Sequence, residues 1–184
     1  MIESILQARY VSRGPKGGRS LKLYAAFLDF MGAFDRVPRA LVWDKLCRKF
    51  GVKGKLLRVI MDLFTDTIAR AMVNGYLTQK FPIESGVLQG SVLGPTLFLL
   101  FIDDLLDELQ TSTLGIPMLG FSLSVLAFAD DVTLLSLAKK NLQALLQICG
   151  CWAKRNGMLL GLDKRFILIF NSKSKKSEEL PSFY

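Results

Sequence analysis

An α+β fold, an antiparallel sheet with helices packed on one face, is predicted by three features of this 184-residue sequence. Apolar runs of strand length alternate with longer segments whose apolar residues recur every three or four positions. Neighbouring strand candidates are joined by turn dipeptides rather than by the repeated helical crossovers of a parallel sheet. Hydrophobic residues make up 51% of the chain and charged residues 22%, which excludes disorder for most of its length and suits one domain.

Leu23 to Leu28 is the first strand, an apolar run ending at Asp29. Pro38 suits a helix start; Leu41, Val42, Leu46 and Phe50 then give one face, which Gly51 closes. A second amphipathic helix carries Leu56, Leu57, Ile60, Leu63 and Phe64 on one side. Ala69 to Val73 and Tyr76 to Phe81 flank Asn74-Gly75, the dipeptide favoured in two-residue hairpin loops. After a glycine-rich run from Gly86 to Gly94, Pro95 opens a helix with Leu97, Leu100, Phe101, Leu105 and Leu109. Gln110 to Ala129 has no charge, but Gly115, Pro117, Gly120, Ser122 and Ser124 punctuate it. It reads as two buried strand-like pieces, not a membrane span. Val125 to Ala129 and Val132 to Leu137 are apolar strands joined at Asp130-Asp131. Asn141 to Asn156 is a helix with Leu142, Leu145, Leu146, Cys149 and Trp152 inward and Gly157 just past its end. Phe166 to Phe170 is the last strand.

The two ends differ from this middle. Residues 1–22 are a basic lead-in, with Arg9, Arg13, Lys16, Arg19 and Lys22 around Gly14-Pro15-Lys16-Gly17-Gly18, either a solvated loop or a phosphate-contacting arm. Residues 172–184 are a polar, Lys-rich tail. Met1 to Tyr10 has no long apolar core and does not resemble a secretory signal. Lys and Arg number 24 against 16 Asp and Glu, and the resulting +8 favours a polyanionic partner such as nucleic acid. With no histidine, any His-based triad, histidine metal site or imidazole switch is excluded within the chain. Cys47, Cys149 and Cys151 lack zinc or disulfide spacing, so an intracellular setting, nuclear or cytoplasmic rather than secreted, is expected.

Acidic residues normally avoid apolar runs, so Asp29, Asp130 and Asp131 stand out by placement. Asp in a tight turn can serve its own backbone. Alternatively, adjacent carboxylates between two strands repel unless a cation neutralises them. If Asp29 lies at the neighbouring strand end, the three make an all-oxygen site suited to Mg²⁺. Two such ions, about 3.5–4 Å apart, serve phosphoryl transfer.

Four segments carry a more specific signal. They are Phe27-Leu28-Asp29-Phe30-Met31-Gly32-Ala33-Phe34-Asp35-Arg36-Val37-Pro38; Gly86-Val87-Leu88-Gln89-Gly90-Ser91-Val92-Leu93-Gly94-Pro95, with Phe101-Ile102-Asp103-Asp104-Leu105 beyond it; Phe128-Ala129-Asp130-Asp131; and Gly157-Met158-Leu159-Leu160-Gly161-Leu162-Asp163-Lys164. In order and interval, over residues 24–170, they resemble the catalytic motifs of reverse transcriptases from non-LTR (LINE-type) retrotransposons. The resemblance implies a polymerase palm over residues 23–171, with the lead-in as a remnant of the fingers. It further implies two Mg²⁺ ions, with Mn²⁺ as a substitute, held by Asp29, Asp130 and the Phe30 carbonyl, with Asp131 beside them. Phe34 would stack under the incoming sugar, Gln89 and Gly90 would line the nucleotide and template pocket, and Lys164 would sit near the triphosphate. The partners implied are an RNA template, a DNA primer and deoxynucleoside triphosphates, with no membrane.

The sequence departs from the family pattern at Gly32, Gly94, Gly161 and Arg165. Gly32 and Gly161 are expected to add backbone freedom near the site. The resemblance covers palm and little of the fingers, and no thumb, so the chain alone is expected to be weakly active or inactive. A non-catalytic remnant that binds nucleic acid and a metal-dependent phosphohydrolase are the alternatives; the latter explains neither Gln89-Gly90 nor Phe34.

Overall fold

In the computed structural model, which describes residues 22–118, 120–161 and 166–170, the elements follow one another as strands and helices of mixed length. In chain order they are β1 (Leu23–Leu28), α1 (Ala33–Arg36), α2 (Arg39–Arg48), α3 (Gly54–Asp62), β2 (Ile68–Ala69), β3 (Met72–Val73), β4 (Tyr76–Leu77), β5 (Phe81–Pro82), α4 (Leu93–Thr111), β6 (Ile116–Met118), β7 (Phe121–Leu123), β8 (Val125–Phe128), β9 (Asp131–Ser136), α5 (Lys139–Arg155) and β10 (Phe166–Phe170). The chain divides into two compact units. One runs up to Met31 and again from Ile102; the other is Gly32–Phe101.

The first unit is organised by an antiparallel sheet of order β10-β1-β9-β8. Strand alternation puts Leu23, Ala25 and Phe27 on one face, where Ala25 lies opposite Leu135 and Phe27 opposite Thr133. Leu23, Ala25 and Leu135 form a buried cluster there with Ile116 from the β6–β7 hairpin. Ala26, Leu28, Val132 and Leu134 point the other way and are equally buried, beneath α5, which packs on β1 and β9. Every residue expected inward on α5 is buried, and Gly157 follows the helix at φ 68°. Trp152 lies near the end of the buried stripe, and its indole N–H donates to Asp104 of α4 (3.0 Å), which satisfies the one polar atom it takes into the core. The uncharged stretch before β8 supplies two short hairpin strands, and among the described residues no helix is long and apolar enough to cross a membrane.

In the second unit α2 starts directly after Pro38 and ends in a turn where Val52 N–H bonds back to the Leu46 carbonyl (2.9 Å), with Gly51 at φ 69°. The Asn74-Gly75 loop forms as expected: both residues have positive φ, 51° and 84°, the type I′ pattern matched to strand twist. The hairpin splits, however, into two short ladders, β3–β4 at the tip and β2–β5 below it. The second amphipathic helix also differs from its pattern. None of α3 is buried; Leu56 is 59% and Leu63 57% exposed, and only Phe64, just past the helix, reaches the interior. Periodicity identifies the apolar side of a helix but not whether anything covers it.

Candidate active site

Asp29 is carried by the end of β1, and the register of its neighbours decides what it meets. Leu28 pairs with Val132 at the end of the ladder, so Asp29 leaves β1 beside the start of β9 at Asp131. Both carboxylates line a concavity of about 210 Å³, shared with Phe27, Thr133 and Phe166. Its floor is stiff. Phe27 and Phe166 lie opposite each other on β1 and β10, with ring centroids 4.6 Å apart and planes 17° from parallel. Thr133 is 1% exposed.

The turn beside it is displaced by one residue from the sequence expectation. Phe128 pairs with Asp131, so Ala129 and Asp130 are the loop and Asp131 opens β9. Ala129 takes φ 54°, a conformation that favours glycine, and holds it in a two-residue loop next to the carboxylates. Asp130, on the loop, does not line the concavity. Among the described residues no three Asp, Glu, His or Cys side chains gather as a metal-holding group. Asp29 and Asp131 thus share one concavity, and Asp130 lies beside it on the loop. Two carboxylates with all-oxygen chemistry still suit Mg²⁺, which keeps several of its waters and takes one or two protein carboxylates.

Residues 159–161 brace the same strand end. Met31 N–H donates to the Leu159 carbonyl (2.9 Å) and Gly161 N–H to the Asp29 carbonyl (2.8 Å), flanking a bridge between Phe30 and Leu160. Phe30's own carbonyl takes no part in those two bonds. Its ring is buried edge-on against Trp152, with centroids 5.8 Å apart. A Cβ at Gly161 would lie 3.3 Å from both the Asp29 carbonyl and its Oδ2, so the bare glycine lets the two segments close. Lys164 and Arg165 lie outside the described residues, as do most of the basic lead-in and the polar tail.

The remaining predicted residues belong to the other unit. Phe34 is half-buried, its ring stacked on Phe98 at 4.9 Å. Gly32 adopts φ 57°, where glycine is the favoured residue rather than a source of slack. Gln89 and Gly90 are exposed, and the Gln89 amide donates to the Asp35 carboxylate. Arg39 ties this loop down, donating to the Gly86 carbonyl (2.8 Å) and the Phe64 carbonyl (2.7 Å); burial lowers its pKa. Sequence reasoning passed over Thr133, Asp35 and Arg39. Asp35 was visible inside the first motif, whereas the partners of Arg39 are 25 and 47 residues away.

Comparison with known proteins bears on the same residues. The family described as reverse transcriptase (RNA-dependent DNA polymerase) matches residues 6–179. A Pol polyprotein of the type-1 retrotransposable element R2 from Popillia japonica is 32% identical over 74% of this chain and 23% of its own length. The RNA-directed DNA polymerase from mobile element jockey of Drosophila melanogaster is 34% identical over 65% of this chain and 12% of its own length. The chain thus spans less than a quarter of these curated relatives. Among solved structures, an apo telomerase from Candida tropicalis truncated from its C-terminal domain has the same fold, at TM-score 0.70 and 15% identity, over 94% of this chain and 35% of that one. The antiparallel sheet with its helices is the palm-like fold those structures share, and the chain belongs to the reverse transcriptase family, in its non-LTR retrotransposon branch.

Proposed function

We propose that this chain is the palm of an RNA-directed DNA polymerase, which adds deoxynucleotides to a primer 3′-hydroxyl on an RNA template. One observation carries the reading: Asp29 and Asp131 line one concavity at adjoining ends of antiparallel strands, within the two motifs that name the family. Asp29 and Asp131, which share the concavity, would hold the divalent cations, with the Phe30 carbonyl and the loop residue Asp130 as the further oxygen donors that the family resemblance implies. Mg²⁺, or Mn²⁺ in its place, supplies charge stabilisation on the transferring phosphoryl group when bound. The protein's own part is positioning. The Phe27–Phe166 stack and the brace from residues 159–161 fix the carboxylates, since near-attack geometry is worth effective molarities of order 10⁵ M or more. By family resemblance Phe34 takes the deoxyribose side of the incoming nucleotide, Gln89 and Gly90 line nucleotide and template, and Lys164 meets the triphosphate. Fingers and thumb surfaces of a longer polyprotein complete the grip on primer and template, so the chain alone works slowly.

Primer extension on an RNA template, run beside phosphate release from free nucleotide, tests this. The expected result is slow, divalent-dependent extension that disappears in Asp29→Ala and in Asp131→Ala. Extension that survives both substitutions, or nucleotide hydrolysis without extension, contradicts the assignment.

A further inference from the structure

Within the unit Gly32–Phe101 an open concavity of about 540 Å³ is lined by Asp35, Ser85, Gly86 and Gln89 among apolar neighbours. Its wall is built by backbone bonds: Gly86 N–H donates to the Val37 carbonyl (2.9 Å) and Val87 N–H to the Phe34 carbonyl (2.8 Å). Gly86 is required there, because a Cβ would come within 2.7 Å of the Asp35 carbonyl oxygen. Among the described residues no Lys or Arg lines the concavity, and the Arg39 guanidinium is occupied by the backbone carbonyls of Gly86 and Phe64.

The polar side chains of the lining share one character. Gln89 Nε2 lies 3.0 and 3.1 Å from the two Asp35 carboxylate oxygens. A carboxylate only accepts, so the amide must turn its nitrogen to Asp35, which leaves Gln89 Oε1 as the acceptor offered to a ligand. Ser85 directs its proton to the Asp35 backbone carbonyl (3.0 Å), so its oxygen also presents lone pairs. The lining is acceptor-rich and carries a negative charge. Such a surface repels phosphate and holds a neutral donor. On a nucleic-acid strand the neutral donors are the ribose 2′-hydroxyl and the exocyclic base amines.

On the strength of the polymerase reading above, we propose that Asp35 is a positioning residue that orients Gln89. Together with Ser85 the pair forms an acceptor pocket for a neutral hydrogen-bond donor of the bound strand rather than for its phosphates. Fluorescence anisotropy of the full 184-residue chain with labelled rU12, dU12, rC12 and dC12 at low salt tests it. The chain should favour ribose over deoxyribose, or cytosine over uracil, by about 3- to 10-fold, the worth of one hydrogen bond. The first pattern identifies the hydroxyl and the second the amine. Asp35→Ala and Gln89→Ala should bring that ratio close to one without lowering thermal stability. Asp35→Asn, which keeps an oxygen for the Gln89 amide, should restore most of it. A preference that persists in both alanine variants, or its absence from the parent chain while binding remains, overturns the proposal. Failure to bind any of the four strands overturns the nucleic-acid reading itself, and the pocket assignment falls with it.

Discussion

Gly161 shows what a single residue conceals in the sequence. Set against the family pattern it looks like added freedom; in the fold it donates its N–H to the Asp29 carbonyl, and a Cβ there would lie 3.3 Å from that residue. Composition reveals the freedom of glycine; only the fold reveals that close approach is what it serves. Gly86 is the stricter case, with φ 85° and a backbone neighbour where a Cβ would go. Gly86→Ala should therefore cost about 1–3 kcal/mol in urea unfolding. Cys149 makes a different prediction. Burial, aided by the charge of Glu108, pushes its thiol up to about 12 from 9.0. Below pH 9 both folded and unfolded states hold the proton and the contribution is full. Above it the unfolded thiol ionises first, so stability falls as pH rises towards 12. Thermal melts across that window should decline more steeply for the parent chain than for Cys149→Ala.

Among the elements, those that sequence patterns located best are the ones whose local signal and packing agree. β1 and β10 have the boundaries their apolar runs suggest, and α5 buries every residue its period selects. The β8–β9 loop was off by one because two acidic residues look like a turn, whereas the positive φ fell on Ala129, which carries no turn signal. The cover over α3 was not legible at all, since an apolar stripe says nothing about its neighbour. These differences are measurable. Leu46→Ala in α2 removes a side chain 2% exposed and should cost about 2–5 kcal/mol of unfolding free energy. Leu56→Gln in α3 should change it by less than about 0.5 kcal/mol, because that side chain is already in solvent. Equal losses from the two would mean that α3 is covered in solution.

For the molecule as a whole, charge and site make separate demands. A net charge of +8 should give nucleic-acid binding that weakens steeply between 50 and 200 mM salt, as counterion release requires. Titrating a labelled primer-template at several salt concentrations would show it; binding indifferent to salt would mean that stacking or base contacts dominate. The site itself was half legible. Asp29 and the Asp130-Asp131 pair announced themselves as acids at the ends of apolar runs. Which of the pair lines the concavity with Asp29 depended on where the β8–β9 loop falls, and no single motif contains that. The most direct test of the account is Mn²⁺ added in small amounts to the isotopically labelled chain, with paramagnetic line broadening followed residue by residue. Signals from Phe27 to Met31 and from Asp131 to Thr133 should broaden first, and Asp29→Asn or Asp131→Asn should abolish the effect. Broadening centred instead on Asp103 and Asp107 of α4, or unchanged by either substitution, would contradict a metal site at the strand ends.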